Sequence, residues 1–169
     1  MSFRVKLSEL MDKIGVGYVL GPYQTAPWSV YDSATGTTCS AEVRMGPDND
    51  EIEAEAQLMY ETPPAGKKGM EQACYIRATP ASEGLWEVST LRIRGLPFGQ
   101  DIMGWQEKAC DFFSLLIAAL QADEVPDIDA LLEQAFYKER GNDQYGSGGG
   151  KSPKIKPGRL MGMKKGGSM

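Results

Sequence analysis

Two stretches of strict alternation dominate the hydrophobic pattern. From Thr37 to Met45, Cys39, Ala41, Val43 and Met45 alternate with Ser40, Glu42 and Arg44. From Ile52 to Tyr60, Ile52, Ala54, Ala56, Leu58 and Tyr60 alternate with Glu53, Glu55 and Gln57. Period two places successive side chains on opposite faces, so each run predicts a strand with one buried and one solvated face. The turn-rich segment Gly46-Pro47-Asp48-Asn49-Asp50 joins them as a hairpin.

A second hairpin is predicted from Met70–Thr79 and Leu85–Arg94 around Pro80-Ala81-Ser82-Glu83-Gly84. Its faces are less regular, because Trp86 and Val88 fall on one phase while Leu91 and Ile93 fall on the other. Either a bulge lies near Ser89 or both faces are partly covered. Val16–Leu20 and Trp28–Tyr31 are two further candidate strands, ended by Gly21-Pro22 and by Asp32-Ser33-Ala34-Thr35-Gly36.

Helical spacing appears at both ends. Phe3, Leu7, Leu10, Met11 and Ile14 predict a short amphipathic helix over 3–14, stopped at Gly15. Ile102, Trp105, Ala109, Phe112, Phe113, Leu116, Ile117 and Leu120 predict a second, capped by Asp101, whose latter half is apolar nearly all round and therefore central. A third begins at Pro126 and carries the stripe Ile128, Leu131, Leu132, Ala135 and Phe136. The expected fold is α+β: an antiparallel sheet of about five or six strands, with one N-terminal helix and two C-terminal helices packed on it.

Charge changes this picture at the C-terminal end. The 169 residues carry a net −5, yet residues 1–143 hold 12 Lys and Arg against 23 Asp and Glu, while residues 144–169 hold six basic residues and no acid. That final stretch, rich in glycine, has too few apolar residues to offset the entropy of ordering it. An acidic domain over 1–141 and a flexible basic tail over 142–169 are expected, with Lys151, Lys154, Lys156, Arg159, Lys164 and Lys165 as the tail's binding charges. No apolar run follows the first basic residues and none approaches the ~20 residues of a spanning helix, so a cytoplasmic protein is expected.

The chemistry available is limited. The chain has no histidine, which excludes Ser-His and Cys-His nucleophile pairs and the commonest metal ligand. Cys39, Cys74 and Cys110 are odd in number and lack the close pairing of structural zinc sites. Glu51, Glu53 and Glu55 share one strand face and in principle suit a cation, although an alternating charged strand ordinarily faces water. Gly146–Ser152 ends in Gly-Lys-Ser but is one residue short of a phosphate-binding loop, follows no strand and is followed by Pro153. No cofactor, metal or catalytic residue is expected.

Two binding candidates remain. Tyr75 and Arg77 on one strand and Trp86, Arg92 and Arg94 on the next place aromatic rings beside guanidinium groups, a composition enriched at interfaces. The competing reading pairs these arginines with Glu42, Glu51, Glu53 and Glu55 and covers Trp86 with a helix. The tail is the other candidate, with phosphates, an anionic membrane surface or an acidic protein groove as its targets. The expectation drawn is a non-enzymatic protein-binding module, a chaperone, adaptor or small assembly subunit that uses domain and tail for different contacts. Nucleic-acid or ribosome association through the tail and a carboxylate-based enzyme are the alternatives. The layout is similar to that of small secretion chaperones, which however carry a helix between strands where this chain has Thr62–Gly69.

Overall fold

A computed structural model describes residues 3–66 and 68–138. Helix α1 (Leu7–Ile14) precedes strands β1 (Thr25–Asp32), β2 (Thr37–Met45), β3 (Ile52–Tyr60), β4 (Met70–Pro80), β5 (Trp86–Ile93) and β6 (Leu96–Pro97), and helices α2 (Trp105–Gln121) and α3 (Ile128–Leu132) follow. The strands form one antiparallel sheet whose spatial order is the sequence order, so every strand pairs with its chain neighbour. The α+β architecture expected from the periodicity is the one observed.

The chain divides into two compact units between Leu131 and Leu132. The first contains the sheet, α1 and α2. The second is described as far as Lys138, where Glu133–Lys138 forms a π-helical segment with the rings of Phe136 and Tyr137 6.5 Å apart. The basic tail and its six named cations lie outside the described residues.

The core of the first unit sits between one sheet face and the helices. Cys39, Ala41, Val43 and Met45 of β2 and Ile52, Ala54, Ala56 and Leu58 of β3 are buried, as the alternation requires. Leu10, Met11 and Ile14 of α1 and Phe112, Phe113, Leu116 and Ile117 of α2 are buried too. Helix α1 packs on α2 and β5, and α2 on β1 and β5. Gly15 closes α1 with a left-handed φ of 108°, and a Cβ built on it would stand 3.3 Å from the Ser114 Cα of α2. Glycine therefore serves both the cap and the close approach of the two helices.

Bulges restore the pattern that looked irregular in the second hairpin. The β4–β5 register shifts between Arg77 and Ala78, leaving Ser89 as the extra residue, so Trp86, Val88, Leu91 and Ile93 all reach the buried face. A second shift, opposite Ala56 and Gln57, makes Ala73 and Cys74 consecutive buried residues on β4. The β5–β6 connection is Arg94-Gly95, with φ of 54° and 81°, between the paired residues Ile93 and Leu96. Positive φ at both positions is the signature of a two-residue type I′ hairpin.

Several elements differ from expectation. Val16–Leu20 is not a strand: Gly15 and Gly17 (φ 84°) bend it, and it buries Val16 and Leu20 as a loop, while the short β6 completes the six strands. Helix α1 begins at Leu7 because Val5 is held in a bridge to Trp86, with N–H to O distances of 3.0 and 2.7 Å. Asp101 does not cap α2. Two turns, Gly99–Ile102 and Ile102–Trp105, intervene, and the left-handed Gly104 stands at the cap position. The third helix is capped one residue after Pro126, where the Asp127 carboxylate accepts from the N–H groups of Asp129 and Ala130. No helix among the described residues is long and apolar enough to cross a membrane.

Candidate functional site

With the helices on one face, the other face of the sheet carries its own side chains in rows fixed by the register. Tyr31, Thr38, Met59 and Met70 form one row across β1 to β4, and Ser29, Ser40, Gln57 and Gln72 the next. Then come Pro27, Glu42, Glu55, Tyr75 and Arg92, and beyond them Thr25, Arg44, Glu53, Arg77 and Thr90. The face therefore grades from an apolar end to a charged end over about six residues of strand, roughly 20 Å.

The charged end is cross-linked. Arg44 donates from Nη1 to Glu42 at 3.1 Å and from Nη2 to Glu53 and Glu55 at 3.3 and 3.4 Å. The Tyr75 hydroxyl donates to the other Glu53 oxygen at 2.6 Å, and Gln72 Nε2 donates to Glu55 at 2.8 Å. Arg77 Nε is paired with Glu51. Arg92 lays its guanidinium over the Tyr75 ring, 5.7 Å from the centroid. Ion pairs that water still reaches, as it does these half-buried ones, contribute little stability individually, about 0–1 kcal/mol. Their effect is to hold the side chains in one arrangement.

The same contacts set the titration of the face. The hydrogen bond from Tyr75 and the charge of Arg44 hold the Glu53 carboxyl below its ordinary value, against a smaller opposing effect of burial. Burial, with the hydrogen bond to Glu53 second, pushes the Tyr75 phenol up to about 12. At neutral pH the carboxylate is thus ionised and the phenol neutral, and neither is poised to exchange a proton.

Of the residues singled out from sequence, Tyr75, Arg77 and Arg92 come together here. Trp86 does not join them: it is 6% exposed and lies on the buried face with Val88. Arg94 stands in the β5–β6 turn and pairs with Asp129 of α3 at 2.9 Å. The cross-strand pairing weighed as the competing reading holds for Arg77 with Glu51. Arg92 has no carboxylate partner among the described residues. In the sequence pattern Arg44, the hub of the network, is only a polar-face position, and nothing there marks out Met59 and Met70. Alternation already places Met59 on the polar face; the Ala73 bulge that brings Met70 beside it has no sequence signature. Tyr31, Met59 and Met70 are 52%, 41% and 53% exposed.

Other chemistry is sparse. The three free thiols are buried, and burial raises Cys39 to about 11 and Cys110 to about 12, with Cys74 also well above its ordinary value. Glu51, Glu53 and Glu55 are occupied by Arg77, Arg44, Tyr75 and Gln72. No group of three or more metal-ligating side chains is positioned for an ion among the described residues. A shallow cleft of ≈ 410 Å³ lies at one end of β1, lined by Val30, Tyr31, Asp32, Ser33, Asp123, Glu124 and Val125. Its carboxylates face no cationic side chain in that lining, and the Asp32 carboxylate is held by the Ala34 N–H and the Thr35 hydroxyl. No family model, curated protein or solved structure matches this chain.

Proposed function

We propose that the chain is a non-enzymatic protein-binding module that docks a partner on the helix-free face of its sheet, acting as an adaptor, a chaperone or a small subunit of a larger assembly. The observation that carries this reading is the pairing, on one surface, of an exposed apolar row (Tyr31, Met59, Met70) with an exposed arginine that is stacked on tyrosine and has no carboxylate partner among the described residues (Arg92 on Tyr75). Tyrosine and arginine are the side chains that most often dominate binding energy, and methionine adapts to varied apolar surfaces. The partner chemistry that fits is a protein segment presenting apolar side chains to Met59 and Met70 and a carboxylate to Arg92.

Buried thiols with raised pKa values, a high phenol and the engagement of Glu51, Glu53 and Glu55 support a binding rather than a catalytic role. The basic residues of 151–165 supply a second contact in this proposal. Their charge also suits nucleic acid, and that alternative rests on sequence alone.

The test compares proteins retained by the immobilised full chain, by Arg92→Glu, by Met70→Glu, and by Lys13→Ala as a control on α1. Thermal melts of the four establish equal folding. A species lost with both face variants and kept with Lys13→Ala supports the proposal. Identical retention by all four overturns it.

A further inference from the structure

We infer that β1 is a self-pairing edge, and that two copies of this chain join their sheets by antiparallel β1–β1 contact with Trp28 on the two-fold axis. This goes beyond the partner proposal, because it uses the backbone edge of β1 and not the arginines and methionines of the open face.

Strand β1 ends the sheet, so only one of its edges is paired. Register and hydrogen bonding fix what the other edge presents. The Met45 N–H donates to the Gln24 carbonyl at 3.0 Å, which sets the phase of the β1–β2 ladder. Ala26, Trp28, Val30 and Asp32 turn their backbone groups to β2, and Thr25, Pro27, Ser29 and Tyr31 turn theirs outward. Pro27, with no N–H to contribute, accordingly falls on the outward phase. Among the described residues none of these outward groups has a backbone partner.

Natural edges are guarded by lysines, inward charges, bulges or prolines. Here Pro27 is the sole such device: Thr25–Tyr31 carries no charge and its pairing with β2 has no bulge. The strand is also complementary to itself. In an antiparallel pair about a two-fold axis, the register centred on residue 28 sets Thr25 against Tyr31 and Pro27 against Ser29 of the second copy. It forms six backbone hydrogen bonds, whereas centring on Pro27 or Ser29 forms four, because more bonds then fall on the proline or beyond the strand. The best register places Trp28 opposite its own copy at a non-hydrogen-bonded position, where side chains approach most closely and aromatic pairs stabilise the sheet. Trp28 is only half-buried in the single chain, with the small Ala41 as its neighbour on β2.

Charge does not oppose a second copy at this edge. Residues 1–143 are strongly acidic, so two such surfaces repel, but the paired segment is neutral and Asp32 would lie opposite Gln24, not another acid. Tyr23, just before the strand, is 77% exposed and would lie opposite Ser33.

Sedimentation equilibrium of the full chain, with Ser29→Pro and Trp28→Cys beside it, tests the assignment. Ser29→Pro deletes an outward N–H and leaves the β1–β2 backbone bonds intact, losing across that pair the exposed Ser29–Ser40 hydroxyl contact at 3.3 Å, so it should weaken the dimer by roughly 10- to 100-fold while the melting temperature of the dilute protein changes little. Trp28→Cys should form an inter-chain disulfide on mild oxidation, since residues facing each other at such a position lie within disulfide reach. The native chain, with its three thiols buried, should not cross-link. A full chain that stays monomeric at every concentration overturns the inference, whether its edge is bare or taken by its own residues 139–169. So does a dimer that Ser29→Pro leaves unchanged and Trp28→Cys does not cross-link. Either result leaves the open-face proposal standing on its own retention experiment.

Discussion

The guanidinium of Arg92 stacks on the ring of Tyr75, its register partner across β4 and β5, while the hydroxyl of the same tyrosine is donated across β3 and β4 to Glu53. One side chain thus joins three strands on a face that no described helix covers. Tyr75→Phe keeps the ring under Arg92 and deletes the hydrogen bond, so chemical denaturation should show a loss of about 0.5–1.5 kcal/mol. Arg92→Ala should cost less than about 1 kcal/mol, as expected for an exposed cation–π contact. The double variant should show coupling below about 0.5 kcal/mol, because the two contacts use different parts of the ring.

The pH profile of stability follows from the directions of the shifts. Glu53 has a folded pKa below its unfolded value of 4.5, so its contribution is present above that value and lost as pH falls through the lower folded one. Tyr60 and Tyr75 are raised from 10.0 to about 12, and Cys39 and Cys110 from 9.0 to about 11 and about 12. For these groups the contribution is complete below the unfolded values and lost as pH rises through the folded ones. Denaturation midpoints should therefore be flat from about pH 5 to 8, begin to fall near pH 9 as the unfolded thiols ionise, and fall more steeply beyond pH 10. Tyr75→Phe should soften the alkaline fall.

Two glycines should resist substitution for different reasons. Gly95→Ala places a Cβ in the left-handed region with nothing near it, and should cost about 1–2 kcal/mol. Gly15→Ala adds to that strain a contact against the backbone of α2 at Ser114, so it should cost more than Gly95→Ala. Equal losses in urea melts would show that α1 and α2 separate without penalty.

Thiol alkylation offers a direct check of the core. Cys39, Cys74 and Cys110 are each shielded, so in native buffer modification should proceed only through the unfolded fraction, at least ~10³-fold more slowly than in denaturant. One thiol reacting promptly would place its strand or helix outside the buried layer.

Much of this architecture is legible in the residues. The alternation over Thr37–Met45 and Ile52–Tyr60 assigns each side chain its face, and the apolar spacing from Trp105 to Leu120 identifies the buried helix, because both signals repeat over many positions. The failures fall where a single backbone conformation decides. Val16–Leu20 alternates well enough for a strand, but Gly15 and Gly17 turn the chain away from any neighbour. Asp101 is a good cap residue with a left-handed glycine between it and the helix. The open face is half legible: composition points to Tyr75, Arg77 and Arg92. Simple alternation puts Trp86 on their side, because the Ser89 bulge that shifts the phase of β5 has no mark in the sequence, and the Ala73 bulge that aligns Met70 with Met59 leaves no trace in the pattern.

A sheet whose strands meet in chain order has a simple assembly history. Each hairpin closes over only a few intervening residues, so the sheet can grow outward from the β2–β3 pair without waiting for distant segments. The long loop to be closed is the one that brings the N-terminal helix against Trp105–Gln121, and with it the contact of Gly15 on Ser114. That late docking, not strand pairing, should set the overall folding rate, and a circularly permuted chain that begins with α2 and reaches α1 through α3 and residues 133–169 should reach the native state faster than the natural order.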